Sequence, residues 1–265
     1  MTARLQVAGD HIAVWFGDEL FAAYKFPPDQ HLPYWFPVNA AGGIGVTQEF
    51  PTLYPHHRSL WLGHGNVNGA DFWLGRPDSG RIRHLGLLWQ RTVDEGVEFA
   101  VQAAWQLPNG QTLLRDERVW RCWQSGTLRL VDATITLHAL LPEIVLGKTN
   151  HALFCVRVRP ELAVVNGGQL CNSEGGINES GTMGQRARWC AAFGTVNDTT
   201  VGIALFDHPN NPWHPSQWFT RDYGFLSPSP FNWDAWRLTP EQPLHLRYRV
   251  AVFVGEPDLD ALMPR

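Results

Sequence analysis

The sequence lacks any run of about 18 apolar residues, so no transmembrane helix is predicted. It lacks a basic stripe, and its net charge is −4, which argues against nucleic acid as a partner. The first residues, MTARLQVAGDHIAVWFG, show no charged segment followed by an apolar core and a small-residue cleavage site. We therefore expect a cytoplasmic protein that contacts neither membrane nor nucleic acid.

Cysteine and lysine are scarce. The four cysteines are widely spaced and form no C-x-x-C pair, which excludes a zinc finger and suits small buried side chains in a reducing compartment. No cysteine has local features of a nucleophile. Only two of the 21 basic residues are lysines, Lys25 and Lys148. Where arginine supplies the ordinary surface charge, a lysine is a candidate for chemistry that needs a compact, tunable ammonium group.

What the sequence has instead is a dense polar and aromatic stretch at residues 56–73, HHRSLWLGHGNVNGADFW. Glycines interrupt it, and glycine allows positive φ angles and close backbone approach. The stretch predicts a loop that wraps around a ligand. The alternative is a surface loop whose polar residues satisfy one another. His56 has no defensible role, whereas the candidates for a site are His57, Trp61, His64, Asn66, Asn68, Asp71 and Trp73.

The remaining pattern is that of β-structure. Residues 4–26 hold three short apolar runs separated by Gly-Asp pairs, which predict hairpins. Residues 81–139 alternate apolar and polar side chains between Asn-Gly and Ser-Gly turns, which predicts an antiparallel meander. No segment keeps a helical period for three turns, although a short helix is expected near 257–263. We predict one all-β domain, residues 1–265, folded as a large antiparallel β-sandwich.

Two long irregular segments, residues 27–55 and 207–233, interrupt this pattern, and such loops are usually functional. The second contains DHPNNPWHP, whose prolines stiffen the path of its histidines. Arginine near its end is suited to grip a carboxylate or an oxyanion. Four tryptophans, Trp61, Trp73, Trp213 and Trp218, are candidates for the floor of a sugar pocket. Further candidates are Lys148, His151, Glu174, His208, Asn211, His214, Arg221 and Tyr223.

Histidine is the side chain that titrates near neutral pH, so it serves either as general acid or base or as a metal ligand. No H-E-x-x-H motif is present, and a metal site would have to assemble from distant loops with Glu174 or Asp71 as carboxylate. Acid–base chemistry without a metal is the favoured interpretation. No cofactor is predicted, and a divalent metal is kept as the alternative.

The motifs HRSLWLGHGNVNGADFW, GKTNHALFCVRV, NSEGGINE and VGIALFDHPNNPWHPSQWFTRDYG occur in this order. They resemble a bacterial family labelled "methane oxygenase PmoA", now treated as a domain of unknown function, over most of residues 40–255. A methane monooxygenase subunit would need membrane spans, so the label itself is not carried over. The resemblance implies a role in sugar metabolism alongside Gfo/Idh/MocA-type oxidoreductases. The chain departs from the family pattern around Lys148, where the order differs, and at Ser229, where asparagine is usual.

A shorter stretch, TNHALF, is similar to the TNHxYF stretch of galactose mutarotases. That resemblance implies a super-sandwich of the mutarotase type. It also implies that His64 and His151 form an acid–base pair, with Glu174 as a candidate carboxylate.

We therefore predict an enzyme that acts on a sugar or sugar-like molecule, such as a keto-glycoside. A histidine would remove the proton next to the ketone, and Lys148 or Arg221 would stabilise the enolate oxygen. Elimination, hydration and epimerisation all follow from such a site. The predicted catalytic residues are His57, His64, His151 and Lys148. The alternatives are a metal-dependent oxygenase or hydrolase and a non-catalytic carbohydrate-binding module.

Overall fold

The computed structural model describes residues 2–264, which form eighteen β-strands, one short α-helix and four single-turn 3₁₀ helices. The strands are β1 (Ala3–Val7), β2 (His11–Phe16), β3 (Glu19–Lys25), β4 (Tyr34–Val38), β5 (Leu60–His64), β6 (Arg81–Val93), β7 (Gly96–Gln106), β8 (Thr112–Ser125), β9 (Leu128–Ala139), β10 (Ile144–Leu146), β11 (Ala152–Arg157), β12 (Gln169–Asn172), β13 (Trp189–Val196), β14 (Thr199–Asp207), β15 (Trp218–Arg221), β16 (Phe225–Pro228), β17 (Trp236–Leu238) and β18 (Leu244–Val254). The helix α1 spans Asn178–Thr182, and the 3₁₀ turns are Pro160–Leu162, Val164–Asn166, Pro230–Asn232 and Asp260–Leu262.

Two eight-stranded antiparallel sheets make up the fold. The first has the order β1-β2-β3-β4-β5-β11-β16-β15, and the second has the order β12-β13-β14-β18-β9-β8-β7-β6. A small ladder pairs β10 with β17. The all-β antiparallel sandwich predicted from the sequence is confirmed.

The core lies between the two sheets because each sheet turns its alternate apolar side chains inward. Trp35 of the first sheet meets Trp120 of the second edge-to-face at 5.2 Å. In β9 the inward residues Val131, Ala133, Ile135 and Leu137 are buried, as the alternation predicted. One apolar cluster contains residues of both sheets.

The structure corrects the sequence prediction where strands lie inside segments expected to be irregular. Residues 27–55 contain β4, residues 56–73 contain β5, and residues 207–233 contain the β15–β16 hairpin. These strands are only four or five residues long and most of their residues are buried, so they show no clear alternation. Their pairing with strands distant in sequence supplies the hydrogen bonds that local pattern cannot reveal.

Two smaller expectations also have outcomes. Instead of a helix near 257–263, a single 3₁₀ turn spans Asp260–Leu262. All four cysteines are free thiols, and Cys122, Cys155 and Cys190 are buried as predicted. Within residues 2–264, no helix is long and apolar enough to cross a membrane.

Candidate functional site

A cavity of about 420 Å³ opens beside the neighbouring strands β5, β11, β16 and β15. Its volume falls in the range of small-molecule sites, roughly 300–1,000 Å³. It combines imidazole, phenol, guanidinium and carboxylate groups with aromatic walls, which is the composition of a site for a polar small molecule. The lining residues are Tyr54, His56, His57, Trp73, Asn150, His151, Glu179, Phe219, Arg221, Tyr223 and Phe225.

Three histidines lie together in this cavity. His56 and His57 come just before β5, and His151 comes just before β11, the strand paired with β5. The His56 ring lies 4.6 Å from the His57 ring and 6.1 Å from the His151 ring, centroid to centroid. Two of the three imidazole rings stack on aromatic neighbours. The His57 ring stacks on Tyr54 at 5.0 Å, and the His151 ring stacks on Trp73 at 5.6 Å.

Burial keeps these imidazoles neutral. Burial, together with the smaller effects of neighbouring positive groups that include Arg58, lowers the pKa of His57 to about 2 and that of His56 to about 4. Burial also lowers the pKa of His151, but the Asp71 carboxylate counteracts the shift. At neutral pH the cavity therefore presents three unprotonated imidazoles.

An ion pair forms another wall. Arg221, the last residue of β15, donates from Nη1 to Oε1 of Glu179 at 2.5 Å, and this bond raises the pKa of Arg221. The other carboxylate oxygen of Glu179 accepts from the Asp222 amide at 3.0 Å. In return, the Glu179 amide donates to Oδ1 of Asp222 at 2.8 Å. This reciprocal pair fixes α1 against the end of β15 and so fixes the carboxylate and the guanidinium together.

Beside the cavity lies a positive charge that has no carboxylate partner among residues 2–264. The rings of Tyr54 and Tyr223 stack at 4.4 Å, and the Arg157 guanidinium lies 5.5 Å and 4.9 Å from their centroids. Arg157 is buried, and its Nε and Nη1 atoms have no hydrogen-bond partner in the described part of the chain. Burial lowers the pKa of Arg157. A buried cation without a counter-ion favours negative charge in its surroundings.

Five of the residues predicted from the sequence line the cavity: His57, Trp73, His151, Arg221 and Tyr223. Trp61 lies directly behind them, 5.6 Å from the His57 ring and 5.1 Å from the Trp73 ring. The other predicted residues have different positions.

His64 is not among the lining residues. Neighbouring residues of a strand face opposite sides, and Trp61 faces the cavity side of β5, so His64 points to the other face. On that face the His64 side chain is fully buried and packs edge-on against Phe231. The distance from His64 Nε2 to the Gly147 carbonyl oxygen is 3.0 Å. Lys148 is exposed and does not line the cavity either. The structure therefore does not bring His64 and His57 to one site.

Two asparagines and one aspartate of the 56–73 stretch hold its backbone. Asn68 accepts from the Val145 amide at 2.6 Å, and Asn66 donates to the Lys148 carbonyl at 3.3 Å. Asp71 accepts from the Trp73 amide at 2.8 Å and from Ser79 Oγ at 2.6 Å. These bonds shape the loop that carries Trp73.

The predicted residues of the second long segment divide between the cavity and a separate cluster. Buried Asp207 accepts from Asn211 at 2.7 Å and lies 2.9 Å from Nδ1 of His214. His208 accepts from the Asn210 amide at 3.0 Å, and Trp218 donates to the Ala187 carbonyl at 2.9 Å. None of these predicted residues lines the cavity.

Glu174 is exposed, accepts from Ser173 at 2.8 Å and approaches Arg188 at 3.7 Å. The carboxylate that lines the cavity is Glu179, five residues later in the same NSEGGINE motif. The sequence interpretation had no role for His56, which also lines the cavity. The remaining residues that it missed are Tyr54, Asn150, Phe219 and Phe225. In the sequence, the position of His56 next to the predicted site residue His57 was the feature that could have indicated it.

In the described residues, no group of three or more His, Cys, Asp or Glu side chains has an arrangement that could hold a metal ion.

A model described as a family of unknown function, DUF6807, matches residues 11–263. The chain belongs to this family. The family description agrees with the expected domain of unknown function, whereas the methane-oxygenase label is not part of it. No curated protein matches the sequence significantly.

Two of the solved structures that resemble this member of the family are an α-galactosidase and a galactose mutarotase related enzyme. An α-galactosidase from Geobacillus stearothermophilus matches with a TM-score of 0.46 and 9% identity, over 98% of this chain and 42% of that chain. A galactose mutarotase related enzyme from Lactobacillus acidophilus matches with a TM-score of 0.35 and 7% identity, over 96% and 98%. This chain thus spans less than half the length of the α-galactosidase. At these scores, no activity is transferred from either structure.

Proposed function

We propose that this protein is an enzyme that abstracts a proton next to the ketone of a sugar-like substrate, with His151 as general base. The observation that carries the proposal is a single cavity lined both by three neutral imidazoles and by the Arg221–Glu179 pair. Aromatic side chains in the walls suit the C–H faces of a sugar, and the polar groups suit its hydroxyls.

His151 is the best base of the three histidines. A general base works best when its pKa lies near the working pH. The pKa of His57 is about 2 and that of His56 about 4, which makes both imidazoles weak bases. Burial lowers the pKa of His151 too, but Asp71 is the strongest of its charged neighbours and opposes the fall, whereas at His56 the effects of His151 and Arg58 both exceed that of Asp71. His56 and His57 are assigned to hydrogen bonding with the substrate and to shaping the cavity.

The proposed reaction begins with the transfer of one proton. The C–H bond next to the ketone breaks, its proton moves to the His151 imidazole, and its electron pair moves to the carbonyl oxygen. Arg221 stabilises the enolate oxygen, since preorganised cations stabilise developing negative charge. The uncompensated charge of Arg157 adds to the positive field around it. Loss of a leaving group from the next carbon gives elimination, and return of a proton on the other face gives epimerisation.

The substrate's ketone must come from an earlier reaction that oxidises a sugar hydroxyl. The Gfo/Idh/MocA-type oxidoreductase suggested by the sequence resemblance would supply it, and this partnership stays a prediction, as does the cytoplasmic location. Lys148, which was expected to share the role of Arg221, is left out of the proposal because it lies outside the cavity.

The test compares glycosides with their keto forms, using purified protein and the variants His56→Ala, His57→Ala and His151→Ala. The keto form should be converted and the parent should not. His151→Ala should lower turnover by about 10²–10⁴-fold. His138→Ala, at an exposed position outside the cavity, is the matched control and should not change turnover. If none of the three cavity variants changes turnover, the acid–base assignment is wrong.

The same experiment separates the two alternatives. A carbohydrate-binding module would bind the glycosides without forming product, and it would lose binding with Trp73→Ala but keep it in the histidine variants. A metal-dependent enzyme would lose turnover on treatment with a chelator and regain it with one divalent metal, as followed by elemental analysis.

A further inference from the structure

The guanidinium of Arg157 is a buried charge that the fold does not neutralise. Only 8% of the residue is exposed, and its Nε and Nη1 atoms have no hydrogen-bond partner in residues 2–264. Two other buried arginines, Arg118 and Arg129, each lie against a carboxylate, that of Asp116 and that of Glu19. An unpaired charge in a protein interior is costly, and an anion that enters from outside would offset the cost.

Strand register places Arg157 on the face of the first sheet where the cavity lies. Arg157 is directly opposite Phe225 in the β11–β16 ladder, and directly opposed side chains project from the same face of a sheet. Phe225 lines the cavity. The Arg157 guanidinium also lies 5.5 Å and 4.9 Å from the ring centroids of Tyr54 and Tyr223, which line the cavity too. The unpaired charge therefore borders the cavity.

The Tyr223 side chain lies within the influence of two guanidinium groups. Burial raises its pKa to about 12, and the charges of Arg221 and Arg157 both oppose this rise. The phenol is therefore protonated at neutral pH, and its hydroxyl can donate a hydrogen bond to a ligand. Glu179, at 2.5 Å, already offsets the charge of Arg221. This end of the cavity thus combines an O–H donor with one unmatched positive charge.

We propose that the substrate carries a carboxylate and that Arg157 binds this carboxylate at the Tyr223 end of the cavity. This inference rests on the proposed function and adds to it a class of substrate, the sugar acids. The enolate of the proposed reaction is negative only during turnover, so it does not neutralise a charge that Arg157 carries in every bound state. A substrate carboxylate does, because it is negative before, during and after the proton transfer.

A carboxylate fits this end of the cavity better than a phosphate. Its single negative charge equals the one charge that Arg157 leaves unmatched, and it accepts charge-assisted hydrogen bonds from guanidinium N–H groups. A phosphate monoester carries about two negative charges at neutral pH, so one of them would have no partner at this end of the cavity.

The experiment measures the binding of methyl glucuronide and methyl glucoside to the full chain by calorimetry at pH 7. The wild type should bind the glucuronide at least about tenfold more tightly, since hydrogen bonds to charged groups are strong. Arg157→Met, which removes the charge, should reduce this preference to about twofold or less, and Arg157→Lys should retain part of it. The control is Arg237→Met, which removes the charge of an exposed pair with Glu143 and should keep the preference.

Urea unfolding separates an anion site from a purely structural arginine. If Arg157 stays unpaired for the sake of a ligand, Arg157→Met should raise the urea midpoint of the free protein, because it removes an uncompensated buried charge. Methyl glucuronide should then stabilise the wild type and not this variant. If the contacts of Arg157 with the rings of Tyr54 and Tyr223 are its purpose, Arg157→Met lowers the midpoint or fails to fold, and the inference is overturned.

Turnover of the keto forms distinguishes a failure of this inference from a failure of the proposed function. If the wild type binds glucuronide and glucoside equally and converts the keto-glucoside through His151, the inference is wrong and the proposed function stands. If it prefers the glucuronide through Arg157 but converts neither keto form, the proposed function is wrong and the carboxylate site stands. Tighter binding of methyl glucoside 6-phosphate than of methyl glucuronide would assign the site to phosphate and overturn the inference.

Discussion

At the scale of single residues, His64 shows how burial fixes the charge of a side chain. It is fully buried among apolar groups, and its Nε2 lies 3.0 Å from the Gly147 carbonyl oxygen. Burial lowers its pKa from 6.5 to about 3. The unfolded chain therefore takes up a proton at pH values where the folded chain does not. The stability that neutral His64 contributes is complete above pH 6.5 and is lost as the pH falls towards 3.

His64→Gln should therefore weaken the dependence of stability on pH. Glutamine can still donate to the Gly147 carbonyl, but it does not titrate. Between pH 7 and pH 5, the free energy of unfolding of the wild type should fall by about 2 kcal/mol more than that of the variant. Urea unfolding at the two pH values measures this difference. The exposed His138→Gln is the control and should behave as the wild type; equal slopes for His64→Gln would show that His64 does not titrate as argued.

The residue scale also shows where sequence reasoning about the site reached its limit. Residue types and loops were predicted, since His57, Trp73, His151, Arg221 and Tyr223 all line the cavity. The direction in which each side chain points was not predicted, because that direction depends on strand register. Once β5 is known to be a strand, alternation places Trp61 and His64 on opposite faces. Similarly, α1 turns Glu179 rather than Glu174 towards the cavity.

At the scale of elements, the site depends on close packing between the end of β5 and the start of β11. The Gly65 amide donates to the His151 carbonyl at 2.8 Å, which continues the ladder between the two strands. A Cβ atom on Gly65 would lie 2.9 Å from Cβ of His151 and 3.1 Å from Oγ1 of Thr149. Contacts this short force one of the groups to move. Glycine at this position therefore lets His151 approach β5.

Gly65→Ala should displace His151 and so lower turnover of a keto-glycoside by about tenfold or more, since small misplacements of a catalytic group are costly. Gly86→Ala is the matched control, because a Cβ atom there meets nothing within 4 Å. Steady-state kinetics and urea unfolding of both variants make the comparison. If Gly65→Ala is less stable than Gly86→Ala but turns over the keto-glycoside at the same rate, the close contact between Gly65 and His151 does not position His151.

Elements with a regular pattern were the predictable ones. The hairpins of β1–β3, the meander of β6–β9 and the closing strand β18 follow from alternation and turn residues. The β15–β16 hairpin was missed, although it carries Arg221 and Phe225 of the cavity. It owes its position to pairing with β11 across about 70 residues of chain, and such long-range pairing leaves no local periodic signal.

At the scale of the whole molecule, a charged network lies in the apolar core between the two sheets. Arg118 and Asp116 of β8 are 1% and 0% exposed and form two hydrogen bonds, at 2.8 Å and 2.7 Å. The carboxylate also accepts from the Trp105 indole at 2.6 Å, and Arg118 donates to Tyr24 of the other sheet at 3.4 Å. Neighbouring Asp116 and Tyr24 raise the pKa of Arg118. The network thus ties the two sheets together through fully paired buried charges.

Asp116→Ala should be the most destabilising of the variants considered. It leaves the Arg118 charge buried without a partner, a loss of about 3–5 kcal/mol, and it also deprives the Trp105 N–H of its acceptor. Asp132→Ala is the control, because the Asp132–Arg249 pair is partly exposed, so water can solvate the charge left on Arg249 and the loss should be smaller. Replacing both partners, in Asp116→Leu/Arg118→Met, should recover most of the loss because no charge is then stranded in the core. Urea midpoints of the three variants decide the matter: if Asp116→Ala is no less stable than Asp132→Ala, the buried pair does not hold the sheets together.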